Sequence, residues 1–138
     1  MMTRRSDCPI SNVLDFVGDK WSFLILRDLM FFGKQSFSEL QSSDEKMATN
    51  ILSSRLENLE KDGLVVKRVN PSDKRKKIYT LTSKAQDMLP ILLEMMIWSD
   101  KHDPNTNASP EVMDRVKNHR EEFVDQVMRQ FGNNEKRD

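Results

Sequence analysis

Apolar residues recur at helical spacing through most of the chain. Between Pro9 and Gly18 this spacing is shown by Ile10, Val13, Leu14 and Val17, which predicts a first helix with proline at its start and glycine at its end. Residues 20–33 carry apolar side chains around nearly the whole helical circumference, a pattern typical of a helix buried on all sides. In a chain of 138 residues, such a helix must be central to the fold or part of a subunit interface.

A short helix and a longer one follow. Ser36 and Glu39 have the spacing of a capping box, so the segment SFSEL is predicted to begin a helix. Residues 47–62 form the next predicted helix, with an aliphatic stripe on one side and Gly63 at its end. Two helices joined by a short polar turn, the second being the longer, make a helix-turn-helix.

Two short strands are predicted after this unit. Residues 64–69 are rich in β-branched side chains, and residues 77–82 alternate between apolar and polar. The intervening residues 70–76 contain asparagine, proline, serine and aspartate, which are typical of turns. The sequence therefore predicts a β-hairpin, or wing, whose tip carries positive charge.

The C-terminal part is predicted to be helical. Ser83 can cap a helix over residues 84–101, which Pro90 is expected to kink near its start. Residues 102–110 read as a linker, and a last helix covers residues 110–131. The apolar stripes on these two helices and on the first one exceed what one small core needs, which indicates a homodimer.

Charge is distributed unevenly in a chain whose formal net charge is zero. Residues 46–82 hold nine basic and four acidic side chains, a net charge of +5, and the segments on both sides are net acidic. A basic middle segment suggests a face built for a polyanion. An ordinary solvated charged face is the alternative.

Short polar side chains on the outer face of the helix 47–62 suit contact with double-stranded DNA. They let the helix backbone approach the major groove closely and can hydrogen-bond bases or phosphates. The basic wing would add phosphate contacts, which give affinity rather than sequence choice. The alternatives are an ordinary polar helix face and an exposed hairpin protected from aggregation. The candidate DNA-binding residues are Ser36, Thr49, Asn50, Ser53, Ser54, Arg68, Lys74, Arg75, Lys76 and Lys77.

Together these elements predict an α+β, mainly α fold. It is a winged helix-turn-helix with a two-stranded wing and flanking dimerisation helices. Residues 1–101 form the DNA-binding domain with its flanking helices. Residues 102–138 supply the linker and the C-terminal helix, which belong to the same domain and are expected to serve dimerisation.

Arg55 stands apart from the candidate DNA-binding set. Its helical angle places it close to the apolar stripe of the helix 47–62. We therefore expect it to form a partly buried pair with a carboxylate, such as that of Glu39, which would hold two helices together. A direct base contact by Arg55 is the alternative.

The sequence contains no recognisable catalytic, cofactor or metal motif. Two scattered histidines and one cysteine do not form a nucleophile–base pair by spacing, so we expect a protein that is not an enzyme. No apolar run approaches the roughly 20 residues of a membrane span, and the first residues lack the apolar core of a secretory signal. A cytoplasmic location without membrane association is expected, and a single cysteine fits it.

Two segments of the chain carry a resemblance to a known family: CPISNVLDFVGDKWSFLILRDL, and SFSELQ followed by SSRLENLEKDGLVVKRV. The first is similar to the N-terminal motif of the HxlR-type winged-helix transcriptional regulators, within the MarR-like superfamily, and the second resembles their helix-turn-helix and first wing strand. The resemblance covers residues 8–100 and implies a cytoplasmic, dimeric DNA-binding regulator that responds to electrophiles, oxidants or small molecules. The wing, NPSDKRKKIYTLT, is closer to that of the broader MarR group, and the helix 110–131 extends beyond the usual family core.

Cys8 matches the cysteine that some members of this family use as a redox sensor. A helix start favours the thiolate, and Arg4 and Arg5 add to this effect, whereas Asp7 opposes it. Because the chain has one cysteine, oxidation could pair it only with another chain or with a small thiol. The alternative is an unreactive terminal thiol.

Two further alternatives concern partners. Five methionines in the C-terminal helices could line an adaptable pocket for a small-molecule effector, although plain interface packing is the commoner role. The chain could also be a winged-helix protein-interaction module without specific DNA binding, which would leave the wing charges without a phosphate partner. The sequence does not decide between repression and activation.

Overall fold

A computed structural model describes residues 4–103 and 105–135 of the chain. Within these ranges it contains eight helices and one two-stranded antiparallel sheet, so the predicted fold class is confirmed. In chain order the elements are α1 (Pro9–Val17), α2 (Ser22–Phe31), α3 (Phe37–Gln41), α4 (Thr49–Lys61), β1 (Val65–Asn70), β2 (Asp73–Leu81), α5 (Ser83–Gln86), α6 (Leu89–His102), α7 (Pro110–Asn118) and α8 (Arg120–Glu135).

The central helix is α2, as its apolar sequence predicts. Ile25, Leu26 and Met30 are fully buried, and the helix packs against α3, α8 and β2. The prediction of burial on all sides is wrong at its C-terminal end, because the side chain of Phe32 is 62% exposed. The chain leaves the helix at Gly33, whose φ of +64° lies in the left-handed region that glycine adopts without steric cost.

The helix-turn-helix consists of α3 and α4. The predicted capping box is present: the Ser36 hydroxyl accepts from the backbone N–H of Glu39 at 3.2 Å, and the Glu39 carboxylate accepts from the backbone N–H of Ser36 at 3.1 Å. On α4, Leu52, Leu56 and Leu59 are buried, which fixes the opposite face of this helix toward solvent.

The wing differs from the prediction in its length. Strand β2 begins at Asp73 rather than at residue 77, and Asn70 pairs directly with Asp73, so the turn contains only two residues. The basic residues therefore lie along a strand and not in a loop at the tip. Cross-strand backbone pairing extends the strand into a segment whose composition is typical of a turn.

The predicted helix 84–101 is two helices, because Pro90 cannot continue the turn before it. Proline has no backbone N–H and its ring clashes with the carbonyl four residues earlier. The chain therefore breaks between α5 and α6, with Pro90 in the first turn of α6. The predicted cap is also wrong: the N-cap of α5 is Thr82, whose hydroxyl accepts from the N–H of Ala85 at 3.2 Å, and Ser83 is the first helical residue.

The predicted last helix is also divided. Its start at Ser109 is confirmed, since that hydroxyl accepts from the N–H of Val112 at 3.1 Å. The backbone leaves the helical conformation at His119, between α7 and α8. Both helices bury apolar residues in the core of their own chain, including Phe123, whose ring lies 6.3 Å from that of Phe31. Dimerisation through residues 102–138 stays a prediction.

Apolar side chains remain exposed on both α1 and α6. Among the described residues they include Ile10 and Leu14 on the first helix, and Met95 and Trp98 on the other. Trp98 is 67% exposed, and its ring packs at a tilt against that of His102, with ring centroids 4.7 Å apart. Large exposed aromatic and aliphatic side chains of this kind are typical of contact surfaces.

Candidate nucleic-acid interface

The outward edge of α4 carries the short polar side chains that the sequence analysis singles out. Thr49, Asn50, Ser53 and Ser54 are all exposed, opposite the buried leucine stripe. The residue before the helix is Ala48, whose methyl side chain cannot cap the first N–H groups. The start of α4 therefore presents backbone donors and a positive dipole end, an arrangement that favours phosphate.

Three of the candidate hydroxyls already have partners. The Ser54 hydroxyl accepts from the Arg55 guanidinium at 3.3 Å. The Gln41 amide at the end of α3 donates to the Thr49 hydroxyl, which joins the two helices of the motif. The Ser36 hydroxyl belongs to the capping box of α3 and is half-buried. Its predicted contact with DNA stays a prediction, and its observed role is to begin α3.

Four basic side chains of the wing are exposed on β2. The strand register is irregular here, because Val69 pairs with Lys77 whereas the next residue, Asn70, pairs with Asp73. Lys74, Arg75 and Lys76 therefore lie in a bulge of β2 beside the turn, and the positive charge is concentrated there. Arg68, on β1 opposite Ile78, is half-buried and less accessible than these four.

The turn of the wing is held by its own side chains. The Asn70 carboxamide oxygen accepts from the backbone N–H of Ser72 at 2.9 Å. The Asp73 carboxylate accepts from both the backbone N–H and the guanidinium of Arg75, at 3.1 and 3.2 Å. These hydrogen bonds lower the pKa of Asp73, with Lys76 adding to the effect. Arg75 is thereby oriented although it is fully accessible to solvent.

Two hydrogen bonds to backbone carbonyls tie the wing to the helix-turn-helix. The N–H of Tyr79 on β2 donates to the carbonyl of Gln35, just before α3, at 2.8 Å. The Thr82 hydroxyl donates to the carbonyl of Gly63, just after α4, at 2.7 Å. Burial, with a contribution from the charge of Glu60, raises the pKa of Tyr79. The open end of the hairpin, opposite its turn, is therefore joined to the segments that flank the two helices.

Arg55 pairs with Asp19, so the expected partner Glu39 is wrong. The Arg55 Nε lies 3.1 Å from Asp19 Oδ1, which links α4 to the start of α2. Glu39 instead accepts backbone N–H groups at the start of α3, because these donors lie three and four residues away in sequence. A partly buried ion pair of Arg55 with a carboxylate is therefore confirmed, but it joins α4 to the segment before α2 and does not hold α3 and α4 together.

Asp19 organises the beginning of α2 as well as this pair. Its carboxylate accepts from the backbone N–H groups of Trp21 and Ser22 at 2.8 and 2.9 Å, and from the Ser22 hydroxyl at 2.5 Å. Burial acts to raise the pKa of Asp19, but these hydrogen bonds and the charge of Arg55 together lower it. The carboxylate is therefore ionised and fixed near neutral pH.

A buried carboxylate, Asp28, connects α2 with the turn of the helix-turn-helix. Its side chain is 2% exposed and contacts Arg27 at 2.9 Å and Lys34 at 3.4 Å. The Ser43 hydroxyl, in the turn between α3 and α4, also donates to it. The sequence analysis missed this residue, although a charged pair within the apolar segment FLILRDLMFF was a signal that could have revealed it.

The same arginine binds a second carboxylate of this turn. Arg27 donates two parallel hydrogen bonds to Glu45, at 2.7 and 2.8 Å. The bond from Arg27 lowers the pKa of Glu45 to about 2. The turn also contains Lys46 with a φ of +56°, a left-handed conformation that lysine rarely adopts. The charged contacts compensate for this strained conformation and fix where α4 starts.

Cys8 is the N-cap residue of α1 and is exposed. Its helix-start position agrees with the expectation. Arg5, which was expected to favour the thiolate, instead donates to Asp15 at 2.6 Å. The sensing role of Cys8 stays a prediction.

The fold and this surface define a winged helix-turn-helix protein of the DNA-binding class. The model of the HxlR-like helix-turn-helix family matches residues 16–107. The transcriptional regulator YdeP of Bacillus subtilis is 32% identical over 95 residues, covering 69% of this chain and 73% of YdeP. The chain therefore belongs to the HxlR-like helix-turn-helix family and is a transcriptional regulator of the helix-turn-helix type.

Solved structures agree with this assignment. The crystal structure of PA1607 has a TM-score of 0.68 and 35% sequence identity, covering 77% of this chain and 72% of PA1607. The oxidised form of the redox regulator HypR has a TM-score of 0.59 and 30% identity, covering 73% of this chain and all of HypR. Across residues 4–103 and 105–135, none of the helices combines the length and apolarity that crossing a bilayer requires.

Proposed function

We propose that the chain is a homodimeric regulator that binds double-stranded DNA sequence-specifically, with α4 in the major groove and the wing on phosphates. The observation that carries the proposal is the exposed polar edge at the uncapped start of α4, next in the chain to a wing with four exposed basic residues. The proposal requires this edge and the wing to approach the same DNA.

The recognition helix is well supported for this role. Arg55 and Asp19 tie its middle to α2, and the buried Asp28 fixes the turn before it. A recognition helix held in this way loses little conformational entropy on binding DNA. Its contacts therefore contribute more fully to affinity and to discrimination between DNA sequences. Among these residues we assign base contact to Asn50 in particular, because its carboxamide can form two hydrogen bonds with one adenine.

The proposed dimer uses the apolar surface on α1 and α6. Two copies related by a twofold axis would cover Leu14, Met95 and Trp98, and would place one α4 on each half-site of a palindrome. A cytoplasmic location and a homodimeric state are parts of this proposal. Sedimentation of the purified chain measures whether it is a homodimer.

The variant Asn50→Ala is expected to lose most of its preference for the operator over unrelated DNA. Loss of one two-point base contact should reduce the preference for operator over unrelated DNA by about tenfold to a hundredfold. Gel shifts against the DNA upstream of the protein's own gene, with a scrambled duplex as competitor, measure this ratio. The matched control is Asn58→Ala, an exposed asparagine nearer the end of the same helix. Equal ratios in the parent and both variants would show that Asn50 reads no base.

The proposed effector response is oxidative and uses Cys8. HypR, which has the same fold, is a redox regulator, and the Cys8 thiol here is exposed. We expect diamide to change the DNA affinity of the parent, through a disulfide with a second chain or a small thiol, and to leave Cys8→Ser unaffected. Gel shifts with and without diamide, followed by dithiothreitol reversal, test this. A diamide response that persists in Cys8→Ser would remove the cysteine from the mechanism.

A further inference from the structure

Lys46 occupies an unfavourable backbone conformation in the turn between α3 and α4. Its φ is +56°, and among the described residues no other side chain except glycine has a positive φ. The Cβ of an L-residue clashes with the backbone in this left-handed region, whereas glycine adopts the region without steric cost. Glycine would therefore suit the backbone at this position better than lysine does.

The turn is held by contacts that do not use the Lys46 side chain. The backbone N–H of Lys46 donates to the carbonyl of Ser43 at 3.0 Å. The Ser43 hydroxyl in turn donates to the buried carboxylate of Asp28. Arg27 donates two hydrogen bonds to Glu45, the residue just before Lys46. These contacts impose the left-handed conformation on position 46, and they would be the same with a different side chain there.

The ammonium group of Lys46 is available to a partner outside the chain. The residue is exposed, and in the part of the chain that the structure describes its side chain forms no ion pair and no hydrogen bond. The adjacent carboxylate, that of Glu45, is already bound by Arg27. The folded chain therefore gains little from this positive charge, although it carries the steric cost of a lysine in the left-handed region.

Lys46 is close to the end of α4 that carries the polar edge. It lies three residues before Thr49, the first residue of the helix, so the two Cα atoms are within about 11 Å of each other. Met47, between them, is buried and anchors this segment to the core. The major groove is only about 12 Å wide, so a helix that enters it by this end brings the preceding residues to the phosphates at its rim.

We propose that Lys46 binds a phosphate of the DNA backbone at the rim of the major groove that α4 enters. This contact rests on the proposed DNA-binding function and adds a phosphate contact from the helix-turn-helix to those of the wing. With cations before and after α4 in the chain, the helix would be fixed to the phosphate backbone at two places, which sets its register on the duplex. The contact contributes affinity and position but not sequence choice.

Two neutral substitutions with different backbone preferences test the contact. Lys46→Gly removes the ammonium and favours the left-handed conformation, and Lys46→Asn removes the ammonium but keeps a side chain that tolerates this conformation. In gel shifts at several salt concentrations, both should lower the slope of log affinity against log salt by about one per protomer, and the affinity at about 0.1 M salt by about tenfold. The loss should be equal for a duplex from upstream of the protein's own gene and for its scrambled version, because phosphates carry no sequence information.

Thermal unfolding and a variant that keeps the charge distinguish this contact from a structural role. Lys46→Gly should melt no lower than the parent, because relief of the steric clash offsets the greater freedom of glycine in the unfolded chain. Lys46→Arg should keep the parental salt slope, because the guanidinium also pairs with phosphate. Lys101→Gln removes one charge from an exposed position on α6 and is the matched control, which should bind DNA as the parent does.

The outcomes separate this contact from the proposed function. If the parent has a steep salt slope that Lys46→Gly and Lys46→Asn both retain, the contact is overturned and the proposed function stands. A lower slope in Lys46→Arg, equal to that in Lys46→Gly, also overturns it, because the charge is then not what matters. A marked fall in the melting temperature of both neutral variants does the same, since the side chain would then support the fold. A parent that binds neither duplex refutes the proposed function and this contact together.

Discussion

Replacing Lys74, Lys76 and Lys77 together by glutamine is expected to weaken binding to every duplex DNA by a similar factor. The three ammonium groups are exposed on β2 and would each neutralise one phosphate. Loss of three phosphate contacts should lower the slope of log affinity against log salt by about three per protomer, and the affinity at about 0.1 M salt by about a hundredfold or more. Gel shifts of operator and scrambled duplexes at several salt concentrations measure both quantities.

The control for this experiment removes lysine charge elsewhere. Lys20→Gln with Lys101→Gln lowers the net charge at two exposed positions that do not belong to the wing. It should leave the salt slope almost unchanged, because charges distant from the DNA contribute little at physiological salt. If the wing variant keeps the parental slope, the wing does not bind phosphate, and a protein-interaction module becomes the better interpretation of this hairpin.

The variant Asp28→Ala is expected to lower the free energy of unfolding by about 3 kcal/mol. Removing one member of a buried charged group leaves its partners unpaired, which costs about 3–5 kcal/mol where burial is complete. The lower figure applies because Arg27 and Lys34 remain partly exposed and Arg27 keeps its contact with Glu45. Urea denaturation followed by circular dichroism measures the change.

A neighbouring acid provides the comparison for this variant. Asp44→Ala alters an exposed aspartate in the same turn and should change stability by no more than about 0.5 kcal/mol. A loss below about 1 kcal/mol for Asp28→Ala would mean that the apolar contacts of α2, and not the buried carboxylate, hold the turn between α3 and α4.

Local patterns in the sequence were sufficient to predict most elements. The capping box at Ser36, the end of α2 at Gly33 and the leucine stripe of α4 each depend on neighbours within a few residues, and all three are present. Such features are decided by helix geometry and backbone conformational preference, which a single sequence displays directly. The order of helices and strands then limits the fold to a winged helix-turn-helix.

Features that depend on distant residues were predicted less well. The start of β2 at Asp73 is set by pairing with β1, and the partner of Arg55 lies 36 residues away. The Asp28 contacts likewise join α2 to a turn 15 residues later. Spacing along the chain does not encode these choices, because several carboxylates were equally plausible partners before the helices were placed.

In the candidate site, too, features set by neighbouring residues were predicted and features set by distant residues were not. Composition and helical angle predict an exposed polar edge on α4, and the exposure of Thr49, Asn50, Ser53 and Ser54 agrees with that prediction. They do not predict that the Thr49 hydroxyl would bond within the motif, or that Arg68 would be half-buried. Contact of these residues with DNA stays a prediction, because it depends on how two molecules meet.

The bonds from Tyr79 to Gln35 and from Thr82 to Gly63 have a consequence for control of the proposed regulator. They anchor the open end of the hairpin to the segments that precede α3 and follow α4. We therefore expect the wing, α3 and α4 to move together, so that a signal bends the wing little relative to the recognition helix. Induction would instead tilt the two DNA-binding units of the proposed dimer relative to each other, altering their separation so that they no longer match successive turns of the double helix.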